Sequence, residues 1–368
     1  MLAASIFALA VIAALVTGAF FAARQEMRVG VNSRSSLRAF SAAEAGAAGA
    51  LARWPANAWN SLVVGDSAAL AGSLPGGGGS FAGSVLRLND ELFLVRVTGT
   101  DAAGLARRSL ASLVRLQPLQ VDVRAALTTR GSTTISGAAL LDGRDANPAS
   151  WADCPAAGPD PMAGVSVPSA SDITYSGCES QSCIAGNPRV SADPGLGDST
   201  FFGFGELGWS ALAAMATKVY RPGDVGPLAD LAPVGSATSC DVAAQDNWGD
   251  PHHAAGTAGC WGYFPIIRVD GSLRITGGYG QGILLVSGDL VVEGGAEFFG
   301  LIVVLGSLTT SGAGGRLVGG VMAANVDGGQ NSILGSTVIS YSSCSLARAL
   351  RNGAPVRQLR GRSWAELF

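Results

Sequence analysis

Hydrophobic and polar positions change period several times along the chain, and each change predicts an element. Residues 1 to 23 carry no charge, and the run ends abruptly at Arg24, Gln25 and Glu26. As a helix rising ~1.5 Å per residue it extends ~35 Å, enough to cross a hydrocarbon core of ~30 Å with some tilt. From Arg24 to Trp54 no proline intervenes and helix formers dominate, so one helix is expected over 1–54, stopped by Pro55. Beyond it, SLPGGGGSFAG reads as a flexible loop. GSVLRLNDELFLVRVTGTDAAGLARRSLASLVRLQP then alternates in three runs, with Asn89-Asp90 between the first two, so 55–120 is predicted to be an antiparallel β-meander. An amphipathic helix over Leu105 to Leu116 is the alternative.

Residues 121–262 follow no period and read as irregular loops, interrupted by one helical patch, WSALAAMATKVYRP. Periodicity returns at Phe264. Similar units begin at Phe264, Gly282, Gly300 and Gly319, in steps of 18, 18 and 19 residues. Each holds an apolar strand, a turn, a second short strand and a Gly-rich corner. A fixed period of this kind marks stacked coils that bury their apolar faces against one another. A short parallel β-solenoid is therefore expected over 263–345, with TVISYSS as a partial last coil and TTISGAALLDG as a further contributor. The tail, 346–368, intersperses Arg348, Arg351, Arg357, Arg360 and Arg362 with Leu350, Leu359, Trp364, Leu367 and Phe368, and reads as a cap over the solenoid or as a binding arm. The fold class is α+β and mostly β.

Cysteines and charge narrow the setting. Cys154, Cys178, Cys183, Cys240, Cys260 and Cys344 all follow the apolar segment, an even count that suits an exported, oxidised domain. Of fifteen possible pairings for six cysteines, Cys178 with Cys183, Cys240 with Cys260 and Cys154 with Cys344 are plausible. Zinc lacks a second short cysteine pair to complete a site. The net charge of -3 supplies no basic field for nucleic acid. The apolar run is too long for an ordinary signal peptide. Arg24, Arg28, Arg34 and Arg38 beyond the span would retain the body in the cytoplasm, against the cysteine reading, unless a short basic leader once stood before Met1.

Small residues recur at four-residue steps. Ala10, Ala14, Gly18 and Ala22 form one such row in the span, and Ala42, Gly46 and Ala50 another beyond it. Such rows let helix backbones approach closely, although alanine is also common filler in membrane helices. Two glycines in a solvated helix cost about 1 kcal/mol each, so Gly46 and Gly49 are expected to face neighbouring helices.

In QEMRVGVNSRSSLRAFSAAEAGAAGAL, Glu26, Arg28 and Asn32 stand in register with Ala39, Ala43, Glu44 and Ala45 behind the span. This region, about fifty residues long, resembles the N-terminus of type IV pilus minor pilins of the PilX type. Ser5 occupies the place where many major pilins carry an acid. The resemblance implies a filament subunit. The sequence has no phosphate-cradling Gly-x-x-x-x-Gly-Lys-Ser/Thr loop, no Gly-x-Ser-x-Gly elbow and no His-Glu-x-x-His, so a non-enzymatic role with no cofactor and no metal is expected. The subunit would wait as a single-pass protein in the bacterial inner membrane and then join other pilins through its helix in an extracellular pilus. Its β-rich head would serve assembly or adhesion to a surface or cell ligand.

Candidate chemistry is sparse. His252 and His253 adjoin Asp246 and Asp250 but sit in a loop, and Asp142, Asp145 and Asn147 have calcium-type oxygens that turns use equally. Asp289, Glu293 and Glu297 fall in one coil without recurring in the next. The alternative function is a membrane-anchored surface protein that binds polysaccharide or acts on it, since solenoids also host such chemistry.

Overall fold

The computed structural model describes residues 2–148, 150–151, 154, 161–178, 180–222, 226–359, 361 and 363–367. The fold is α+β and mostly β, with one long N-terminal helix. The chain divides into two compact units.

The first unit comprises residues 1–55, 62–116 and 356–368. Helix α1 runs unbroken from Leu2 to Ala52, as the absence of proline allows. Strands β1 (Ser67–Ser73), β2 (Ser80–Arg87), β3 (Leu92–Thr100) and β4 (Arg107–Leu116) form an antiparallel meander. The region thus has one strand more than the pattern predicts, because alternation in SAALAGS is muted by small side chains. Leu105 to Leu116 is not a helix: after a turn it alternates along β4, burying Leu110, Ser112, Val114 and Leu116. Ser35, Ala39, Ala42, Ala43 and Gly46 form the buried stripe of α1, at the spacing of one helix face. They press on the sheet. Trp54 meets Phe93 edge-on at 5.3 Å, and Arg108 Nε donates to Ser36 Oγ at 2.7 Å.

Two glycines set that approach. A Cβ on Gly99 would stand 2.1 Å from the Ala39 carbonyl oxygen and 2.4 Å from the Ala43 nitrogen, both backbone atoms that cannot rotate away. On Gly46 it would meet the Phe81 ring at 2.7 Å and Val97 at 2.8 Å. Gly99→Ala is therefore expected to force helix and strand apart and cost about 1–3 kcal/mol, read as a lower urea midpoint for the purified protein. Gly30→Ala, on the same helix with nothing within 4 Å, should instead stabilise it by up to about 1 kcal/mol.

The tail, 346–368, divides: up to Gly353 it belongs to a helix that lies against solenoid strands, and from Val356 it joins the meander. Val356–Gln358 and Trp364–Leu367 pair antiparallel with β4, because its outer edge offers unpaired backbone groups and both segments are extended. Arg360, Arg362 and Phe368 lie outside the described residues.

The second unit comprises residues 56–61 and 117–355 and is a parallel β-solenoid. Its stack is entered in the middle. One wall runs, strand beside strand, through Lys218–Tyr220, Ile266–Val269, Tyr279–Val286, Ala296–Val304, Gly315–Ala323, Ala125–Thr129, Ala163–Val167 and Val190–Ala192. A second wall runs from Leu273–Ile275 through Leu290–Val292, Leu308–Thr310, Asn331–Ile333 and Thr133–Ser136 to Ile173–Ser176. The chain thus builds outward from its first coil, crosses to the far end near 218, and winds back until 321–341 meets 125–142. The stretch 121–262, which reads as irregular, holds strands of the same stack. Loops of unequal length between those strands hide the period. In the patch WSALAAMATKVYRP only Trp209–Ala213 is helical, and Lys218–Tyr220 is a strand.

The core consists of inward aliphatics such as Leu127, Ile135, Ile267, Leu284, Leu290, Ile302 and Ile333. A helix, Ser343–Gly353, capped by the Ser342 side chain, contacts the strands of the first wall. Three disulfides, Cys154–Cys344, Cys178–Cys183 and Cys240–Cys260, account for all six cysteines.

Candidate assembly surface

Helix α1 has two physically different parts. From Leu2 to Arg34 its described side chains are exposed, including Leu2, Ile6, Phe7, Leu9, Leu15, Phe20 and Phe21. The segment is long and apolar enough to cross a membrane, and none of its most apolar window is buried in the chain. Exposed apolar surface on this scale is unstable in water and requires lipid or protein around it.

The small-residue rows separate accordingly. Ala10, Ala14, Gly18 and Ala22 are uncovered, and Gly18 has nothing within 4 Å of a built Cβ. Ala42 and Gly46, by contrast, are occupied by this chain's own β-sheet, and Ala50 is half-buried. The expectation that helices press on that second row is corrected for Ala42 and Gly46: a sheet carrying Gly99 and Phe81 fills the place. In the motif, Glu26, Arg28, Asn32, Glu44 and Ala45 are exposed, while Ala39 and Ala43 are buried against the sheet. The motif residues thus lie on two faces of one helix.

Beside Glu44 the first unit forms a groove of about 350 Å³. Glu44, Ala47, Ala48 and Leu51 of α1 line one side, Leu110, Ala111 and Ser112 of β4 the floor, and Gln358 and Trp364 the other side. Gln358 Nε2 donates to Ser112 Oγ at 3.2 Å, fixing that wall, and Trp364 remains 57% exposed. Sequence patterning does not reveal this groove, since it depends on the tail pairing with β4; an exposed tryptophan in an alternating WAEL run was the available signal.

The residues considered for chemistry are dispersed through the second unit. His252 Nε2 lies 3.0 Å from Glu297 Oε2, whereas His253 stacks on Trp261 at 4.7 Å. The Asp250 carboxylate accepts from the His252 and Ala254 backbone and from Thr257 Oγ1, which is turn chemistry. Burial raises the Asp142 carboxyl, but Arg144's hydrogen bonds and charge outweigh it and hold the group below the usual carboxylate range. Asp145 and Asn147 accept from Ser343 and Cys344 backbone N–H groups at the start of the Ser343–Gly353 helix. Asp289 accepts from Ser307 N, and Glu293 is held by Arg274 and Ser311. Among the described residues, no group of three or more His, Cys, Asp or Glu could hold a metal ion.

Lys218, the sole lysine, is buried and donates to the backbone carbonyls of Val242 and Ala244. Burial lowers its pKa from the ordinary lysine value against the pull of Asp241 and Asp246. It clips the loop that carries Cys240.

No family model matches the chain, and no curated protein does. Among solved structures, the competence-associated pilin ComZ from Thermus thermophilus aligns with 13% identity over 90% of this chain and 97% of that one, at a TM-score of 0.27. A likeness of that strength carries no inference about fold or role.

Proposed function

We propose that the protein is a non-enzymatic, minor pilin-like subunit of a type IV pilus or related filament. The supporting observation is the division of α1: its first part exposes an apolar surface with nothing of this chain against it, while its second part is packed on the chain's own sheet. Such a helix serves as a single-pass inner-membrane anchor before assembly and as filament core afterwards, and other pilins are its partners. The resemblance of Glu26, Arg28, Asn32, Ala39, Ala43, Glu44 and Ala45 to the PilX-type pattern favours a minor subunit. The solenoid, closed by three disulfides, is the part displayed outside the cell for assembly or adhesion.

Quantitative mass spectrometry of sheared, purified filaments tests this. The expected result is recovery of the chain at a low ratio to a major subunit. Retention in membranes with none in filaments would make α1 a plain anchor and overturn the proposal.

A further inference from the structure

The cations that follow the apolar run of α1 are not spread around the helix. At ~100° per residue, Arg24, Arg28, Arg34 and Arg38 fall within an arc of ~120°, whereas Glu26 and Glu44 fall on the other side. All four arginines are exposed, and none makes an ion pair with a described residue. They form two like-charged pairs at i, i+4: Arg24 with Arg28, and Arg34 with Arg38. Such a spacing destabilises a helix unless an anion from outside neutralises the charges.

Depth separates the two pairs. The hydrocarbon core ends where charge begins, at Arg24, and the headgroup layer beyond it is about 5–7 Å thick on each side of a bilayer. Arg28 lies ~6 Å further along the axis and is still inside that layer, while Arg34 and Arg38 lie ~15 and ~21 Å along and are past it. The anions at that depth are lipid phosphates, to whose oxygens a guanidinium donates as a planar fork. A zwitterionic headgroup carries its own cation beside the phosphate. An anionic one leaves the phosphate to the arginines.

From this placement we infer that Arg24 and Arg28 bind the phosphate of an anionic phospholipid while the subunit is held in the bilayer. This rests on the membrane-anchor reading above and deepens it by naming the lipid class. Glu26 does not compete, because it lies on the other face of the helix.

The test is native mass spectrometry of the full-length protein, disulfides intact, released from nanodiscs that hold equal amounts of phosphatidylglycerol and phosphatidylcholine with matched acyl chains. A cation near an anionic membrane surface is worth roughly fivefold in binding, so the wild type should retain phosphatidylglycerol over phosphatidylcholine by about tenfold or more. Arg24→Gln with Arg28→Gln should bring the ratio close to equality, whereas Arg34→Gln with Arg38→Gln should leave it unchanged. Both inner arginines precede the packed stripe that begins at Ser35, so the melting temperature of their paired variant should match the wild type and exclude misfolding. Four results would each overturn the lipid contact while leaving the anchor reading intact: equal retention of both lipids by the wild type, no effect of the inner pair, an equal effect of the outer pair, or loss of the selectivity in inorganic phosphate, which would make a soluble anion the ligand. The anchor reading has its own readout, since the chain should stay with membranes through an alkaline carbonate wash. Release in that wash would overturn the anchor and the lipid contact together.

Discussion

Replacing Gly300 by alanine is expected to cost the solenoid about 4 kcal/mol or more, a fall of roughly 8–16 °C in melting temperature. Gly300 has φ +135°, where L residues are strained, and its Cβ would stand 2.1 Å from the Gly282 carbonyl oxygen and 3.0 Å from the Ala349 Cβ. Gly282 and Gly319 occupy the equivalent positions inside the neighbouring strands, paired with Gly300 in the ladder, with φ +116° and +135°; a Cβ on Gly319 would lie 2.0 Å from the Gly300 oxygen. The three form a column along which coils stack through backbone alone, and the Ser343–Gly353 helix rests against it through Ala349. Neither neighbour can yield: the oxygen belongs to the adjacent coil's backbone, and Ala349 is fully buried. Gly295→Ala supplies the comparison within one coil. Its φ of +79° is also left-handed, but nothing lies within 4 Å, so about 1–2 kcal/mol is expected. Thermal melts of both variants decide the matter. Equal losses would mean that backbone strain alone, and not the close stacking, governs these glycine positions.

That column was visible in the sequence, since the repeats begin at Gly282, Gly300 and Gly319. What the period could not convey is that coils from 125–192 continue the same stack. Periodicity is a local signal, and it vanishes when loops of different length separate the strands, as between Asp142 and Ala163. Meander strands β2 to β4 were legible from alternation, but β1 was not, because Ala and Gly give no contrast between its faces. The long helix was legible from the absence of proline. Which face of it the chain itself covers was not, because a row of small residues suits a helix or a sheet equally. Phe81 and Gly99, which lie well beyond the helix in sequence, decide between them. The groove beside Glu44 lay further out of reach, requiring the tail's pairing with β4 as well as the helix register.

The second large effect concerns the joint at which the solenoid closes on itself. The first coil, over 125–142, meets the last, over 321–341, and Cys154–Cys344 ties the two across a sequence separation of 190 residues. Removing the bond by the paired change Cys154→Ser and Cys344→Ser releases a loop whose closure is worth about 5 kcal/mol in the chain-entropy model. The same model gives roughly 2 kcal/mol for Cys178–Cys183, separated by 5 residues, and about 3 kcal/mol for Cys240–Cys260, separated by 20. Urea midpoints of the three paired variants should fall in that order. The joint has a second tie: Asn147 Oδ1 accepts from Ser342 Oγ at 2.7 Å and from Cys344 N at 3.3 Å, and Asp145 Oδ1 from Ser343 N at 2.8 Å. With the disulfide gone, these hydrogen bonds and the ladder between 338–340 and 140–142 are what hold the helix start on the first coil. Asn147→Ala in the bond-free background should therefore cost more than in the intact protein, where the covalent link keeps the neighbours in place. Equal costs in the two backgrounds would show that disulfide and cap act independently. The bond would then act only by constraining the unfolded chain.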